Sequence, residues 1–187
     1  MISICIPYYT GSGHTKRLVD FVLEGVQGVE NTQGVLLDVK TITQEGWNAL
    51  HAADAIIFAT PTYLGSGAAS FKAFMDQTDA FWLDLRWNDK IAAGVTISAT
   101  PSGDKLTTLT QLSIFAAQHG MIWVGQNLLG SLQTEDEEDI NECGSWLGLM
   151  ATSSRDKTRL IREGDAKTAR LFGARVAKAA HRWKSSF

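Results

Sequence analysis

Cysteine is scarce in this 187-residue chain, with Cys5 in an apolar run and Cys143 in a polar one. There is no CxxC pair and no spacing typical of a zinc or iron–sulfur site, and Cys5 reads as a buried apolar residue. Excess charge is missing too. Seventeen Lys and Arg face twenty Asp and Glu, a net charge of −3. Without a basic stripe, nucleic acid is not an expected partner. No apolar run approaches the ~20 residues of a membrane span. The first residues, Met1 to Pro7, lack a basic region and soon meet a proline, so they make a poor signal peptide. The expectation is a cytoplasmic protein away from membranes. Linkers, repeats and low-complexity segments are absent as well. The run Glu135 to Asp139 has no glycine at EF-hand spacing and reads as a solvated loop, so no metal is expected.

What is present is an average globular composition, 44% apolar and 20% charged, which predicts one domain over residues 1–187. Six tryptophans exceed what this length requires; ordinary core packing and a site for flat aromatic rings both account for them. Strand-like and helix-like segments alternate throughout. Strands are predicted at 2–7, 35–42, 55–60, 91–98 and 121–124. A helix begins at His14, with Leu18, Phe21, Val22 and Gly25 at helical spacing. Further helices are predicted at about 66–82, 105–119 and 165–183, with a weak turn at 47–51 and an irregular stretch at 126–150. The last helix carries Lys167, Arg170, Arg175, Lys178 and Arg182 opposite an apolar stripe, as a helix packed on a sheet does. The strands at 35–42 and 55–60 are nearly continuous in apolar residues, as in parallel strands covered on both faces. The expected fold is α/β: a flavodoxin-like doubly wound five-stranded parallel sheet, order 2-1-3-4-5, with helices on both faces.

In such a sheet, ligands bind beyond the carboxyl ends of the strands where the order reverses. Three loops follow strands one, three and four. The first contains Thr10, Gly11, Ser12, Gly13, His14 and Thr15 and opens directly into a helix. Hydroxyls, free backbone N–H groups and the helix dipole there suit a phosphomonoester without a lysine; a tight turn with Thr or Ser as N-cap uses the same residues. The dinucleotide fingerprint fails because Lys16 stands where a glycine is required, and the nucleotide-triphosphate loop is absent. The second loop holds Pro61, Thr62, Tyr63, Leu64 and Gly65, where backbone donors suit the edge of a flavin, although Pro61 and Gly65 also fit a plain turn. The third supplies Ser98, Ala99, Thr100, Pro101, Ser102 and Gly103 as further donors for ribityl or ring oxygens.

These stretches, with Phe74-Met75-Asp76-Gln77-Thr78, Trp82 and His119-Gly120-Met121, come in the order found in a known group. The chain resembles the flavodoxin-like NAD(P)H:quinone oxidoreductases of the WrbA type, within the NADPH-dependent FMN reductase superfamily, over roughly residues 1–125. The resemblance implies FMN as cofactor, with Thr10, Ser12, His14 and Thr15 at its phosphate, Thr62 to Gly65 at its ring, and Ser98 to Gly103 at the ribityl chain and ring. It implies NADPH or NADH as donor and a quinone-like acceptor. It also implies His119 near the flavin edge, Trp82 reaching a neighbouring subunit's site, and a homodimer or homotetramer. Tyr63 and His119 are thus the candidate catalytic residues, although a histidine before Gly120 is also a plain helix cap. His51 and His181 are expected to be solvated. Two departures stand out: the third loop is Thr100-Pro101-Ser102-Gly103-Asp104 rather than glycine-rich, and residues 126–150 lack the expected glycine-rich segment. The alternative reading is a non-enzymatic electron carrier of the flavodoxin type. A flavin-free regulatory or scaffold protein on the same fold is a third.

Overall fold

The computed structural model describes residues 1–130, 139–154, 158 and 160–185. Along the chain run β1 (Ile2–Tyr8), α1 (His14–Gln27), β2 (Thr32–Asp38), α2 (Gln44–Ala52), β3 (Ala55–Tyr63), β4 (Ser66–Gly67) and α3 (Ala69–Gln77). There follow α4 (Asp79–Trp82), β5 (Ile91–Ser98), α5 (Lys105–Gln118), β6 (Ile122–Trp123), β7 (Leu149–Thr152) and α6 (Glu163–Lys184). The sheet order is β2-β1-β3-β5-β6, with these neighbours parallel. Without the two-residue β4, which pairs antiparallel with β3, this is the expected doubly wound flavodoxin-like order with helices on both faces.

The fifth position is divided. Ile122 and Trp123 pair with Ile91 and Ala92 at the start of β5, whereas Leu149 to Thr152 pair with Val95 to Ser98 at its end. The stretch expected to be irregular therefore returns the chain to the sheet. Hydrogen bonds hold that return: the Gln126 amide donates to the Asn141 side chain (3.1 Å), Ser145 O (3.2 Å) and Gly148 O (3.2 Å). The acidic residues 135–138 lie outside the described residues.

Two other boundaries move for local reasons. β2 starts three residues before the expected position because Ile2 registers against Thr32, and as an edge strand it tolerates polar Thr32 and Gln33. The helix expected over 66–82 breaks at Thr78, whose hydroxyl donates to Met75 O at 2.7 Å, and its first residues form β4 instead.

Side chains on the two sheet faces form two cores. Ile4, Ile6, Val22, Phe172 and Val176 fill the side covered by α1 and α6. Phe58, Phe71, Phe74, Trp87, Leu112 and Phe115 fill the side covered by α2, α3 and α5. Cys5 is fully buried, as expected, and burial pushes its thiol up to about 11. The helices α1 and α6 meet at backbone contact because Gly25 and Gly173 carry no side chain there: a Cβ on Gly25 would run into Arg170 O, and one on Gly173 into Val22 O. Gly25→Ala is therefore expected to lower stability by about 1–3 kcal/mol through overpacking, despite the better helix propensity of alanine. A urea-unfolding midpoint equal to that of the wild type would contradict this close packing.

Candidate functional site

The chains leaving β1 and β3 diverge, α1 packing on one face of the sheet and α3 on the other, and a crevice opens between the two carboxyl ends. A cavity of about 270 Å³ sits there, lined by Thr10, Gly11, Ser12, His14, Thr15, Pro61, Thr62, Tyr63, Ile97, Ser98, Ala99 and Ser153. Residues from all three predicted loops thus come together. Gly13, Leu64, Gly65, Thr100, Pro101, Ser102 and Gly103 shape the loops without lining the cavity. Sequence reasoning missed Ser153, because it follows the unrecognised strand β7.

Gly13, at φ 91°, makes the left-handed turn into α1 that other residues adopt only with strain. The Thr10 hydroxyl accepts from Gly13 N–H at 3.1 Å and Lys16 N–H at 3.4 Å, so its own hydrogen remains to be donated. Thr10 thus caps the turn and still has a donor to offer to an anion. Ser12 Oγ and His14 Nδ1 lie 3.2 Å apart, beside first-turn N–H groups of α1 that have no intrahelical acceptor. Lys16 pairs with Asp20 at 2.6 Å, which leaves recognition to neutral donors and the helix dipole.

The second loop is the hairpin of β3 and β4. Leu64 (φ 48°) and Gly65 (φ 79°) both adopt the left-handed region at its tip, the two-residue turn that suits strand twist. Leu64 is strained there and fully exposed. Behind the tip, Thr62 Oγ1 lies 2.8 Å from both Thr96 Oγ1 and Thr108 Oγ1. The Gln111 side chain accepts from Gly67 N–H at 3.2 Å. Tyr63 extends across the cavity: a Cβ on Gly11 would run into its hydroxyl. Burial, then Tyr9, raises the Tyr63 phenol above its ordinary range, so it is a donor at neutral pH.

The third loop folds on itself. Ser98 Oγ donates to Thr100 O at 3.0 Å, and Gly103, at φ 52°, leaves room for that hydroxyl. Behind it Lys105 is fully buried. Its ammonium donates to Ala151 O (2.8 Å), Thr100 O (3.2 Å) and Thr152 Oγ1 (3.2 Å), and lies 3.7 Å from Cys143 Sγ. Asp165 accepts from Thr152 N–H at 2.9 Å. Burial lowers the Lys105 pKa and raises that of Asp165; each charge works against the shift of the other. Lys105 carried one signal in the sequence, a cation at a helix start, where the dipole disfavours it.

Residues 17–135 match the NADPH-dependent FMN reductase family. The chain belongs to that family. It is 35% identical to "Flavodoxin FldP" of Pseudomonas aeruginosa, covering 95% of this chain and 96% of that one. It is 33% identical to "NAD(P)H dehydrogenase (quinone)" of Trichlorobacter lovleyi, covering 95% and 97%. Among solved structures it is similar to a WrbA-like flavodoxin from Agrobacterium tumefaciens, with TM-score 0.76 and 37% identity over 97% of this chain and 99% of that one. The chain is accordingly an FMN-dependent NAD(P)H oxidoreductase.

The residues present fit FMN. A phosphomonoester would find the remaining donor of Thr10 and the α1 terminus, and a flat ring would find Pro61, Tyr63 and Ala99 across the same cavity.

Two expected site residues do not line this cavity of the single chain. His119 and Trp82 line a separate groove of about 870 Å³ between α3, α4 and α5. That groove is larger, yet it lies along helix flanks, away from the strand ends where the loop donors converge. His119 is the cap of α5 and is 2% exposed. Its Nε2 is 2.9 Å from Thr78 Oγ1, and its ring lies 4.8 Å from those of both Trp87 and Phe115. Within the single chain, tertiary burial thus takes the ring into an aromatic cluster. Trp82 Nε1 donates to Gln118 O at 2.8 Å. His51, expected to be solvated, instead meets Phe81 edge-on at 4.6 Å.

Burial holds His119 below 6.5, and burial, Arg86 and Lys90 do the same for His51. Both are bases kept neutral by folding, so the unfolded chain takes up more protons below pH 6.5 and stability is lost as the pH falls through that value. The melting temperature is expected to drop between pH 7.5 and 5.5, and to drop less in His51→Phe. An equal drop in the variant would exclude His51 as a contributor.

Proposed function

We propose that this oxidoreductase takes electrons from NADPH or NADH through FMN and delivers them to a quinone-like acceptor in the same cleft. The observation that carries the reading is the convergence of a lysine-free anion loop and two ring-facing loops on one cavity at the reversal of strand order. Bound FMN supplies the two-electron chemistry; the protein supplies position and electrostatics. Thr10, Ser12, His14 and Thr15 hold the phosphate, with Gly11 and Gly13 giving backbone access. Pro61, Thr62 and Tyr63 border the ring, Leu64 and Gly65 form the rim, and Ser98 to Gly103 bound the ribityl side. Tyr63, with its protonated phenol at the cavity, orients the acceptor.

A second copy of the chain is the partner we infer for the larger groove. Trp82, Leu83, Leu85 and Ile114 are exposed apolar residues on or beside it, as at subunit contacts. Among the described residues no helix is long and apolar enough to cross a membrane, and we place the protein in the cytoplasm. The similarity to a protein named flavodoxin favours one rival, a carrier that exchanges electrons only with other proteins.

Titration with FMN followed by NADH and NADPH oxidation, with benzoquinone as acceptor, tests the proposal. Turnover well above that of free FMN is expected. Thr10→Ala is expected to weaken FMN binding about tenfold or more, since a hydrogen bond to a charged group contributes about 1.5–3 kcal/mol. A protein that takes up no FMN would refute the site; FMN uptake without turnover leaves the carrier.

A further inference from the structure

Among the described residues Lys105 is the one fully buried Lys or Arg, and its position is doubly unfavourable. Burial penalises the ammonium, and so does the positive end of the α5 dipole. What offsets this is a set of acceptors drawn from two walls of the cavity. Thr100 O belongs to the loop that begins at Ser98 and Ala99, while Ala151 O and Thr152 Oγ1 end the strand that leads into Ser153. One ammonium therefore ties the ring loop to β7, and its charge stays just behind the wall. The Thr100–Pro101 peptide has a carbonyl and no N–H, so that oxygen would repel the electron-rich edge of a flavin; Lys105 and Ser98 satisfy it instead. Asp165, which accepts from Thr152 N–H at 2.9 Å, stands at the residue before Ser153 and carries the opposite charge.

We propose that Lys105 is a positioning residue of the flavin site that also biases the bound cofactor toward its reduced form, with Asp165 as the opposing charge. The proposal rests on the FMN reading of the cavity. A hydride taken from NAD(P)H, two electrons and one proton, releases NAD(P)+ and leaves the cofactor with one more negative charge, and a fixed cation behind the ring loop stabilises that state over the oxidised one. The Lys105 contribution is thus a difference between redox states, distinct from overall affinity.

The test compares FMN-loaded wild type with Lys105→Met, Lys105→Arg and Asp165→Asn, reading the midpoint potential against a reference dye and the affinity for oxidised FMN by fluorescence. In Lys105→Met the ratio of reduced to oxidised affinity is expected to fall about tenfold, which for a two-electron couple is about 30 mV downward. Asp165→Asn is expected to move the potential upward, and Lys105→Arg to stay near wild type. A purely structural role would shift both neutral variants the same way. Potentials that move together, or not at all, overturn the proposal. Where Lys105→Met does not fold, Asp165→Asn decides alone: a rise supports the proposal, and no change or a fall overturns it. Wild type that takes up no FMN overturns the cofactor reading and this proposal with it, an outcome visible in the absorbance spectrum before any variant is made.

Discussion

One polar stripe on α5 holds the loops that form the cavity. Lys105, Thr108 and Gln111 stand three residues apart, so they share a helix face. Lys105 grips Thr100 O, Thr108 meets Thr62, and Gln111 takes Gly67 N–H. Both ring-facing loops are thereby referenced to one rigid element. The same helix buries Leu109, Leu112, Phe115 and Ala116. Loop geometry and core packing are consequently coupled: a shift of α5 along its axis would break three polar contacts at once.

The divided fifth strand belongs to the same arrangement. Had the chain run straight on from Trp123, the acceptors at Ala151 and Thr152 would come from whatever followed directly. Instead residues 124–148 intervene, and Gln126 and Asn141 stitch their ends together. β7 then arrives beside Val95 to Ser98, at the height of the cavity. The insertion brings Ser153 to the site and gives Lys105 two of its acceptors. A buried ammonium without them would be strongly destabilising.

Legibility in the sequence followed the range of the interactions. The loop from Thr10 to Thr15 is local: glycines, hydroxyls and a helix start within six residues announce a candidate anion site, and most of those residues line the cavity. The order of the main strands was legible because long apolar runs alternate with amphipathic helices. β6 falls within the strand expected at 121–124, whereas β7, four residues inside a stretch expected to be irregular, is too short for periodicity to register, which hid Ser153. The positions of His119 and Trp82 were less legible for another reason. Whether a ring next to a helix end faces a ligand or a neighbouring ring is decided by elements far away in sequence, here Thr78, Trp87 and Phe115. Lys105 is the opposite case: at a helix start it looks like a solvated charge, and only the fold reveals what surrounds it.

On the proposed reading, affinity and redox bias are set by different parts of this site. A cofactor's phosphate carries the same charge whether its ring is oxidised or reduced, so the donors of Thr10 and the α1 terminus contribute equally to both states. Such uniform binding raises occupancy without moving the balance between them. Charges behind the ring loop act where the added electrons reside, so they enter as a difference. The first property depends on a continuous segment and is robust to rearrangement elsewhere. The second depends on Lys105 and Asp165, sixty residues apart and brought together by β7 and α6. On this reading the phosphate loop can stay intact while the potential changes, because the two rest on different residues.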